Sequence, residues 1–545
     1  MIVLDEMKLF TPFSKHSILV VLLLVLLLAT EDVLSCSYAS NSNGLMLQLA
    51  RKMKSTQGGR LYDLGGVYYD AKGKLTLGLA PKPPELPTRS LVVTNTDPFR
   101  GVNATEFKEL LLEIYGPSIL LSQLKPKKAE KIMQKAEKNA NKRAKKADNT
   151  PPSARDIDAD VRATLTSDHL RKIDLKLELV EFPIWKLDED FQRLWASIKA
   201  FPEVVSSDLD EERNRIHVEV ASERGVFQVE KMVSGLGIDS EELSIEVRTP
   251  SDWILDDQEL GVTDGPSLQD RRRPIQGGLF IEVPTEESLA DGRSKGCSIG
   301  FVAQRVDTGE VGFVTASHCT VNMDGIDAIP MKAFQLQRGT VSPPQVLLVN
   351  QIGTETSDQY PLFSDSAFFT FTNGVPYGTG IYKTQADGNN VIKQASRNSW
   401  YSLRIDSGSL VNEIVYKIGR NTGQTRGRVT RTCVNYKYET DDVSYKFECQ
   451  DEVMTVDPNQ RFQWKGDSGA ATIYTLWSKS RFAWIRGISF GRSLRNTEDP
   501  SCVSTIPDED KAPTCWDHYV SPINGVQCDH GPLLVHYNDV PDWNA

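Results

Sequence analysis

The sequence contains little that could cross a membrane. Apart from one run near its start, Ile18 to Ala29, no segment is apolar enough to span a bilayer. As a helix rising ~1.5 Å per residue, this run reaches about 18 Å, less than the ~30 Å of a hydrocarbon core. Because Lys8 and Lys15 precede the run and small residues follow it, the pattern predicts a signal peptide at 1–37 and a secreted, extracellular product. The alternative is a buried helix or a membrane anchor.

Cysteine is absent from a long part of the chain. None lies between residues 37 and 296, whereas the rest of the chain holds Cys297, Cys319, Cys433, Cys449, Cys502, Cys515 and Cys528. Disulfides stabilise domains in oxidising compartments, so only the cysteine-rich part is expected to persist outside the cell. The number of these cysteines is odd, so one thiol is free or Cys36 is retained and paired. None of the spacings resembles a zinc site, and we expect no metal and no organic cofactor.

Positive charge is in deficit, with a formal net charge of −11 at pH 7. This balance argues against nucleic acid as a partner. The 39% hydrophobic and 25% charged content is typical of a globular protein. One stretch, 125–148, is instead dense in lysine. We interpret it as a solvated helix or linker, and binding of a polyanion is the alternative.

Residues 160–250 have the pattern of a small α+β unit. Apolar residues alternate at 214–220 and again at 243–247, as in half-buried strands. Between them, 226–236 places its apolar residues on one helical face and ends before a glycine. This strand, helix and strand predict a compact unit with a core of its own.

Two further features of the N-terminal part leave alternatives open. An acidic turn followed by an alternating strand occurs at 66–79 and again at 207–218, which is either a repeat or a coincidence between two hairpins. Asn103-Ala-Thr105 is an acceptor pattern for N-glycosylation. It predicts a glycoprotein if this region passes through a eukaryotic secretory pathway.

Three arginines, Arg271 to Arg273, end an acidic, loop-like stretch. An accessible loop of this kind suits cleavage after Arg273 by a protease that prefers basic residues, and a surface charge cluster is the alternative. From Gly277 onward, short strands and glycine-rich turns follow one another at regular intervals, the pattern of a β-barrel or sandwich. We therefore expect two parts, 38–273 and 274–545.

Two segments of the second part carry an imidazole and a carboxylate. His318 follows a short strand, and imidazole is suited to take a proton from a hydroxyl near neutral pH. Asp365 leads into an apolar strand, where a buried carboxylate needs hydrogen-bond partners. Accepting the Nδ1 proton of His318 would give it one and would fix the tautomer of the ring. Asp358 is a nearby competitor for this role.

A third segment surrounds Ser468 with glycines. A hydroxyl becomes a useful nucleophile only beside a base, and the glycines let the backbone turn so that the amides of Gly466 and Ser468 face a developing oxyanion. Asp467 is expected to hold this loop through a buried ion pair or through backbone amides. The order His, Asp, Ser along the chain is that of chymotrypsin and differs from subtilisin and from the α/β-hydrolases.

Several segments across roughly 275–540 resemble the alpha-lytic protease and streptogrisin branch of the chymotrypsin-like serine proteases. They are Ile275–Leu279, Cys297–Phe301, Gly312–Thr320, Lys417–Gly423 and Tyr519–Ile523. In addition, Ser489-Phe490-Gly491 resembles the strand with which these enzymes pair the substrate backbone.

This resemblance implies an all-β protease domain of two antiparallel six-stranded β-barrels at 274–545, preceded by an α+β pro-region at 38–273 that assists folding and inhibits the product. It implies His318, Asp365 and Ser468 as catalytic residues in the cleft between the barrels, and peptide-bond hydrolysis through an acyl-enzyme. It also implies an oxyanion hole formed by the amides of Gly466 and Ser468. A disulfide between Cys297 and Cys319, and substrate binding by Ser489, Phe490 and Gly491, follow from it in the same way.

The chain departs from the family pattern near the serine. Ala470 replaces a usual glycine, and Ser317 stands where alanine or glycine is usual before the histidine. The family usually has a cysteine just before the Gly466 position, where this chain has Trp464 and Lys465. The residues that line the family's specificity pocket therefore cannot be assigned to this sequence from the resemblance. A direct count places Phe462 in that pocket. Cleavage after Arg273 would leave a proline at the new N-terminus. This argues against trypsin-type activation, in which a new N-terminal isoleucine amine pairs with the aspartate before the serine.

Cys433 and Cys449 bracket two similar arms around a Thr-Asp-Asp turn. The arms predict a hairpin, and the cysteines are expected to form a disulfide at its open end. Cys502 is expected to pair with Cys515 or Cys528.

The leading hypothesis is a secreted serine endopeptidase made as a zymogen. A catalytically inactive protease-fold binding protein is the alternative. The expected partners are polypeptide substrates and the chain's own pro-region, with no nucleic acid and no membrane after signal removal, and the expected state is a monomer.

Overall fold

A computed structural model gives the structure of most of the chain. It describes residues 42–56, 62–82, 99, 103–146, 154–165, 167–248, 254–255, 267–284, 295–320, 330–335, 350–358, 363–385, 387–393, 399–405, 408–439, 444–476, 480–494 and 515–535. The predicted signal peptide, Cys36 and Cys502 lie outside these ranges. Within them, no helix is both long and apolar enough to cross a membrane. Nor do the side chains described there include a cluster of His, Cys, Asp and Glu that could hold a metal ion.

The N-terminal part mixes helices and strands. Its helices are α1 (Ser42–Met53), α2 (Ala104–Tyr115), α3 (Pro117–Leu121), α4 (Pro126–Lys146), α5 (Ala154–Thr164), α6 (Ser167–Arg171), α7 (Ile184–Ile198) and α8 (Glu223–Leu236). Its strands are β1 (Tyr62–Tyr69), β2 (Leu75–Pro81), β3 (Lys176–Leu179), β4 (Val204–Asp210), β5 (Arg215–Val220), β6 (Leu243–Val247) and β7 (Ile254–Leu255).

The C-terminal part is made almost entirely of strands. They are β8 (Ile275–Gly277), β9 (Phe280–Val283), β10 (Lys295–Ser298), β11 (Phe301–Arg305), β12 (Val311–Thr315), β13 (Lys332–Phe334), β14 (Gln351–Asp358), β15 (Ala367–Phe371), β16 (Tyr377–Tyr382), β17 (Trp400–Ile405), β18 (Ile414–Gly419), β19 (Gly423–Glu439), β20 (Ser444–Thr455), β21 (Ala471–Tyr474), β22 (Phe482–Leu494), β23 (Trp516–Pro522) and β24 (Leu533–Leu534). Helix α9 (Ile523–His530) lies between the last two strands.

Two sets of three strands in the N-terminal part share one plan. Strands β1 and β2 are antiparallel and β3 joins β2 in parallel; likewise β4 and β5 are antiparallel and β6 joins β5 in parallel. The similarity between 66–79 and 207–218 therefore extends to strand topology. Between β5 and β6, α8 ends at Gly237, whose left-handed backbone (φ 67°) suits a residue without a Cβ.

The lysine-rich stretch forms α4, which is a helix with one apolar face. Its buried apolar residues are Ala129, Ile132, Met133, Ala136 and Ala140. The lysines from Lys127 to Lys142 are exposed or partly exposed, as expected for an amphipathic helix. Its apolar face belongs to the N-terminal core, which continues into the C-terminal part through Leu410, Phe482 and Trp484. The two parts of the chain therefore share buried apolar surface.

The C-terminal strands form two groups that meet at the candidate site. In the first, β9 to β15 and β24 form an eight-stranded path. In the second, β18 pairs with β19 and β21, β19 with β20, β20 with β23, and β23 with β22, which returns to β21. This ladder closes a ring of six strands. The fold is therefore β-rich, as expected, while the exact arrangement of two six-stranded barrels stays a prediction.

Buried ion pairs join the N-terminal part to the six-stranded ring. Arg431 on β19 lies 3.1 Å from Glu219 on β5 and also contacts Asp208 on β4, while Arg248 contacts Glu219 and Asp517. Although burial opposes it, Arg431 and Arg248 hold the pKa of Glu219 well below its usual value. Strand β4 also pairs directly with β19.

The arginine triplet is less accessible than the sequence suggests. Only Arg271 is exposed, and Arg272 and Arg273 are partly buried. The amide of Arg272 and the guanidinium of Arg273 both donate to the side chain of Gln335, which directly follows β13. Burial lowers the pKa of Arg273. The next residues belong to β8, where Ile275 is fully buried.

Two disulfides have both partners described. One joins Cys297 to Cys319, and the other joins Cys433 to Cys449 across the β19–β20 hairpin. Cys515 and Cys528 are also disulfide-bonded. Asn103, the glycosylation acceptor, is exposed and caps α2 by accepting the amide hydrogen of Thr105.

Candidate active site

The structure places His318, Asp365 and Ser468 in one hydrogen-bonded chain. His318 lies in a short 3₁₀ turn after β12, and the Cys297–Cys319 disulfide fixes this turn to β10. The Nδ1 atom of His318 lies 2.6 Å from Oδ2 of Asp365, and its Nε2 lies 2.7 Å from Oγ of Ser468. With Nδ1 protonated, Nε2 is free to accept the hydroxyl proton of the serine.

Asp365 is held through both its carboxylate and its backbone amide. The backbone amide of His318 donates to Oδ1 at 3.0 Å. The amide of Asp365 itself donates to the hydroxyl of Ser521 at 2.9 Å, and that hydroxyl donates to Gln450 at 2.8 Å. The side chain of Asp365 is completely buried. The buried carboxylate of Asp365 therefore has the hydrogen-bond partners that its burial requires.

Residues on both sides of Asp365 are anchored to helix α9. Ser364 donates to Asp529, and the hydroxyl of Ser366 lies 2.8 Å from Nε2 of His530. Burial raises the pKa of Asp529 to about 7 and lowers that of His530 to about 3. The C-terminal helix therefore fixes the loop that presents Asp365, a role that nothing in the local sequence indicated.

Asp358, the competitor for Asp365, contacts different atoms. It accepts hydrogen bonds from the hydroxyls of Ser317 and Thr320, which flank His318, rather than from the imidazole. Burial raises the pKa of Asp358. Ser317, which stands where alanine or glycine is usual, therefore hydrogen-bonds to Asp358. Through this bond and the one from Thr320, Asp358 holds the turn that carries His318.

The loop around Ser468 depends on glycines at two positions. Gly466 and Gly469 have φ values of 87° and 80°, which residues with a Cβ rarely adopt. A Cβ on Gly466 would lie 2.3 Å from the Arg420 guanidinium, and one on Gly469 would lie 2.2 Å from the hydroxyl of Thr315. These glycines allow the nucleophile loop to pack closely against both groups of strands.

Two carbonyl contacts fix the direction of the amides in this loop. The carbonyl of Lys465 accepts from the Asn421 side chain at 2.5 Å, and the carbonyl of Asp467 accepts from the amide of Ala470 at 2.8 Å. In a planar trans peptide the N–H points opposite to the C=O. The amides of Gly466 and Ser468 are therefore directed away from these two partners.

Asp467 holds the loop through a buried ion pair and through backbone amides. Its Oδ2 lies 2.7 Å from the ammonium of Lys417, and both side chains are fully buried. The amides of Asn421 and Trp464 donate to the same carboxylate at 2.9 and 3.1 Å. Lys417 lies in one of the segments that carry the family resemblance, but no local pattern identifies it as the partner of Asp467.

Two other residues near the serine, Phe462 and Ala470, are fully buried. Phe462 is fully buried in a small cluster inside the six-stranded ring, with Val415, Val429, Val453 and Val520. Ala470 is also buried, and a Cβ added to Gly419 would lie 3.0 Å from its methyl group. The extra methyl of Ala470 therefore faces a glycine rather than open space.

The proposed substrate strand lies in β22. The carbonyl of Ser489 accepts from the amide of Gly469 at 2.8 Å, so this strand is joined to the nucleophile loop. Phe490 is buried against Phe447 and Tyr519. At Gly491 the chain's own β7 pairs antiparallel with β22, with Leu255 opposite Gly491. The N-terminal part thus contacts the strand that is expected to bind substrate.

Comparisons with known proteins give only distant likenesses. No protein-family description matches the chain, and neither does any curated protein sequence. Among solved structures, a glutamic acid-specific serine protease is 17% identical, with a TM-score of 0.30 over 48% of this chain and 100% of that one. Protease A of Thermobifida fusca is 15% identical, with a TM-score of 0.30 over 48% and 99%. Chymotrypsin of Cellulomonas bogoriensis is 16% identical, with a TM-score of 0.29 over 48% and 98%.

Proposed function

We propose that this chain is a serine endopeptidase that hydrolyses peptide bonds through an acyl-enzyme on Ser468. The observation that carries the proposal is the buried hydrogen-bonded chain of Asp365, His318 and Ser468, with successive distances of 2.6 and 2.7 Å. This geometry is what a hydroxyl nucleophile requires, since it needs a base within hydrogen-bond reach and a third group to orient that base.

Each step follows from these positions. The hydroxyl of Ser468 attacks the peptide carbonyl while Nε2 of His318 takes its proton, and Asp365 stabilises the resulting imidazolium. The carbonyl oxygen becomes negatively charged and is stabilised by the amides of Gly466 and Ser468. Nε2 then donates the proton to the leaving amine. Water, deprotonated by the same nitrogen, releases the second product and restores the hydroxyl.

We further propose that the protein is secreted as a zymogen, with a signal peptide at 1–37, a pro-region at 38–273 and a protease domain of two β-barrels at 274–545. Its substrates are polypeptides, and it acts as a monomer without a cofactor. The pairing of β7 with Gly491 and the buried ion pairs of Arg248 and Arg431 support inhibition by the attached N-terminal part. Because Lys417 already neutralises Asp467, activation does not require a new N-terminal amine at that carboxylate.

Labelling with a fluorophosphonate probe tests this function. The secreted protein is expected to react, the Ser468→Ala variant is not, and N-terminal sequencing of the labelled band is expected to begin near Pro274. If the chain, cleaved after Arg273 by an added protease, still fails to react, the alternative of an inactive binding protein replaces the proposal. The hydrogen bond of Ser317 to Asp358 and the packing of Ala470 beside Gly419 both argue against that alternative.

A further inference from the structure

The orientation of one peptide group, the one that joins Lys465 to Gly466, decides whether an oxyanion hole can form. Its N–H is one of the two amides proposed to stabilise the oxyanion, so its C=O must point away from the substrate. The surrounding residues form a four-residue turn, in which the amide of Asp467 donates to the carbonyl of Trp464 at 2.9 Å. The φ of Gly466 is 87°, while that of Lys465 is not positive. This combination defines a type II turn.

A type II turn converts to a type I turn when its central peptide flips. In a type I turn the residue at the position of Gly466 has a φ of about −90° instead. Glycine adopts both values without steric cost. After such a flip, the carbonyl of Lys465 would face the substrate oxygen and the amide of Gly466 would face away from it. The site therefore needs a group that holds the central peptide in the type II orientation.

One side chain supplies this hold. The other carbonyls of the loop accept from backbone amides or from two donors; they are those of Trp464, Gly466, Asp467 and Ser468. The carbonyl of Lys465 differs, because among the described residues it accepts from a single side chain, the amide of Asn421 at 2.5 Å. If this amide were lost, no other described donor would hold the central peptide.

Asn421 is itself fixed by two further hydrogen bonds. Its backbone amide donates to Oδ1 of Asp467 at 2.9 Å, which keeps the residue beside the turn. Its side-chain Oδ1 accepts from Nε2 of Gln269 at 2.8 Å. Since a donor engages this oxygen, the amide nitrogen of Asn421 is the atom that faces the Lys465 carbonyl. The end of the amide that faces the turn is thus determined from both sides.

Gln269 belongs to the part of the chain that precedes the proposed cleavage site, but it is docked on the C-terminal strands. The neighbouring Leu268 is fully buried in their core. The amide of Leu268 donates to the carbonyl of Asn390 at 3.0 Å, and its carbonyl accepts from the amide of Phe280 at 2.9 Å. The attached N-terminal part therefore supports the turn rather than distorting it. The proposed inhibition acts elsewhere, where β7 pairs with β22.

We propose that Asn421 is a positioning residue for the oxyanion hole, which it keeps formed by holding the peptide between Lys465 and Gly466. The inference rests on the proposed function of Ser468. In the transition state, the amide of Gly466 donates to the oxyanion only while the carbonyl of Lys465 stays bound to Asn421. Because Asn421 lies in the proposed protease domain, this bond does not depend on whether the N-terminal part is attached.

Two variants of Asn421 test this role. Asn421→Asp keeps the shape but offers the Lys465 carbonyl no donor, and Asn421→Leu removes the donor without adding a charge. Each secreted variant is assayed on a fluorogenic peptide that the unaltered protein cleaves, with active sites counted by the endpoint of fluorophosphonate labelling. We expect kcat to fall at least ~30-fold and KM to stay within about twofold, since an oxyanion donor contributes in the transition state.

A peptide aldehyde provides a second readout that a general loss of structure would not reproduce. Its carbon bonds to Oγ of Ser468, the hydroxyl proton moves to Nε2 of His318, and the former carbonyl oxygen becomes an oxyanion in the hole. Its inhibition constant is expected to rise in both variants by about the factor by which kcat/KM falls. The corresponding peptide alcohol forms no such bond, and its inhibition constant is expected to stay the same.

Gln304→Glu is the matched control. The amide of Gln304 also donates to a backbone carbonyl, that of Gly309, at 2.9 Å. It lies at the turn between β11 and β12, at the end of β12 opposite to the turn that carries His318. The same change from amide to carboxylate is expected here to leave kcat and the inhibition constant of the aldehyde unchanged.

The outcomes separate this inference from the proposed function. A protein that reacts with the probe, and whose Asn421 variants keep the parental kcat or change only KM, overturns the role of Asn421 and leaves the serine hydrolase intact. Loss of the folded state in both variants, followed by tryptophan fluorescence, overturns it as well, because a positioning residue is not required for the fold. A protein that never reacts with the probe overturns the proposed function itself.

Discussion

Replacing Lys417 by methionine tests how the nucleophile loop is held. The ammonium of Lys417 lies 2.7 Å from Asp467, and neither side chain is exposed. Removing one partner of a buried ion pair costs about 3–5 kcal/mol, because it leaves an uncompensated charge. Asp467 keeps its bonds from the amides of Asn421 and Trp464 and from the Thr422 hydroxyl, so we expect a value near the lower end, ~3 kcal/mol.

Two measurements follow from this estimate. The free energy of unfolding, from urea denaturation followed by tryptophan fluorescence, is expected to fall by ~3 kcal/mol. The rate of fluorophosphonate labelling is expected to fall about 100-fold, since misplacing one oxyanion donor costs a similar free energy. In the double variant Lys417→Met with Asp467→Asn, the loss is expected to be smaller than the sum of the two single losses by at least ~2 kcal/mol.

Lys383→Met is the matched control. Lys383 is also a buried lysine, but it donates to the carbonyl of Ser480 and lies over the Tyr401 ring, away from the nucleophile loop. Its replacement is expected to leave the labelling rate unchanged. If Lys417→Met loses less than ~1 kcal/mol and labels at the parental rate, the ion pair does not hold the loop and the reasoning is wrong.

Three further predictions concern the surroundings of the histidine and the aspartate. Ser317→Ala removes a hydroxyl that donates to partly buried Asp358 and is expected to cost ~1–3 kcal/mol of unfolding free energy. An unchanged urea midpoint would contradict this. Asp529 has a pKa raised to about 7, so the folded state holds a proton that the unfolded state releases. Its contribution to stability is present at pH 4 and is lost as the pH rises towards 7, by up to ~1.4 kcal/mol per pH unit. Asp529→Asn should flatten the dependence of unfolding free energy on pH. If the variant shows an equally steep dependence, Asp529 is not the group that titrates. Replacing Cys297 and Cys319 together by serine is expected to cost ~3 kcal/mol, because the disulfide closes a loop with a sequence separation of 22, and a loss below ~1 kcal/mol in urea would contradict it.

The sequence by itself determined the residue types of the candidate site and their order. His318, Asp365 and Ser468 stand in short patterns because each needs a particular local backbone: a turn after a strand, a strand start and a glycine-rich loop. The period of the apolar residues likewise predicted the strands at 214–220 and 243–247 and the helix between them. These features depend on neighbours in the chain, so a linear pattern can carry them.

Tertiary structure decided which distant groups meet. That Lys417 pairs with Asp467, that Asp358 binds Ser317 rather than the imidazole, and that α9 anchors the loop of Asp365 all depend on contacts between residues far apart in sequence. The position of Phe462 inside the ring and the contact of Arg492 with Trp464 depend on strand pairing in the same way. Side-chain type alone fixes neither burial nor partner, because both are properties of the packed strands.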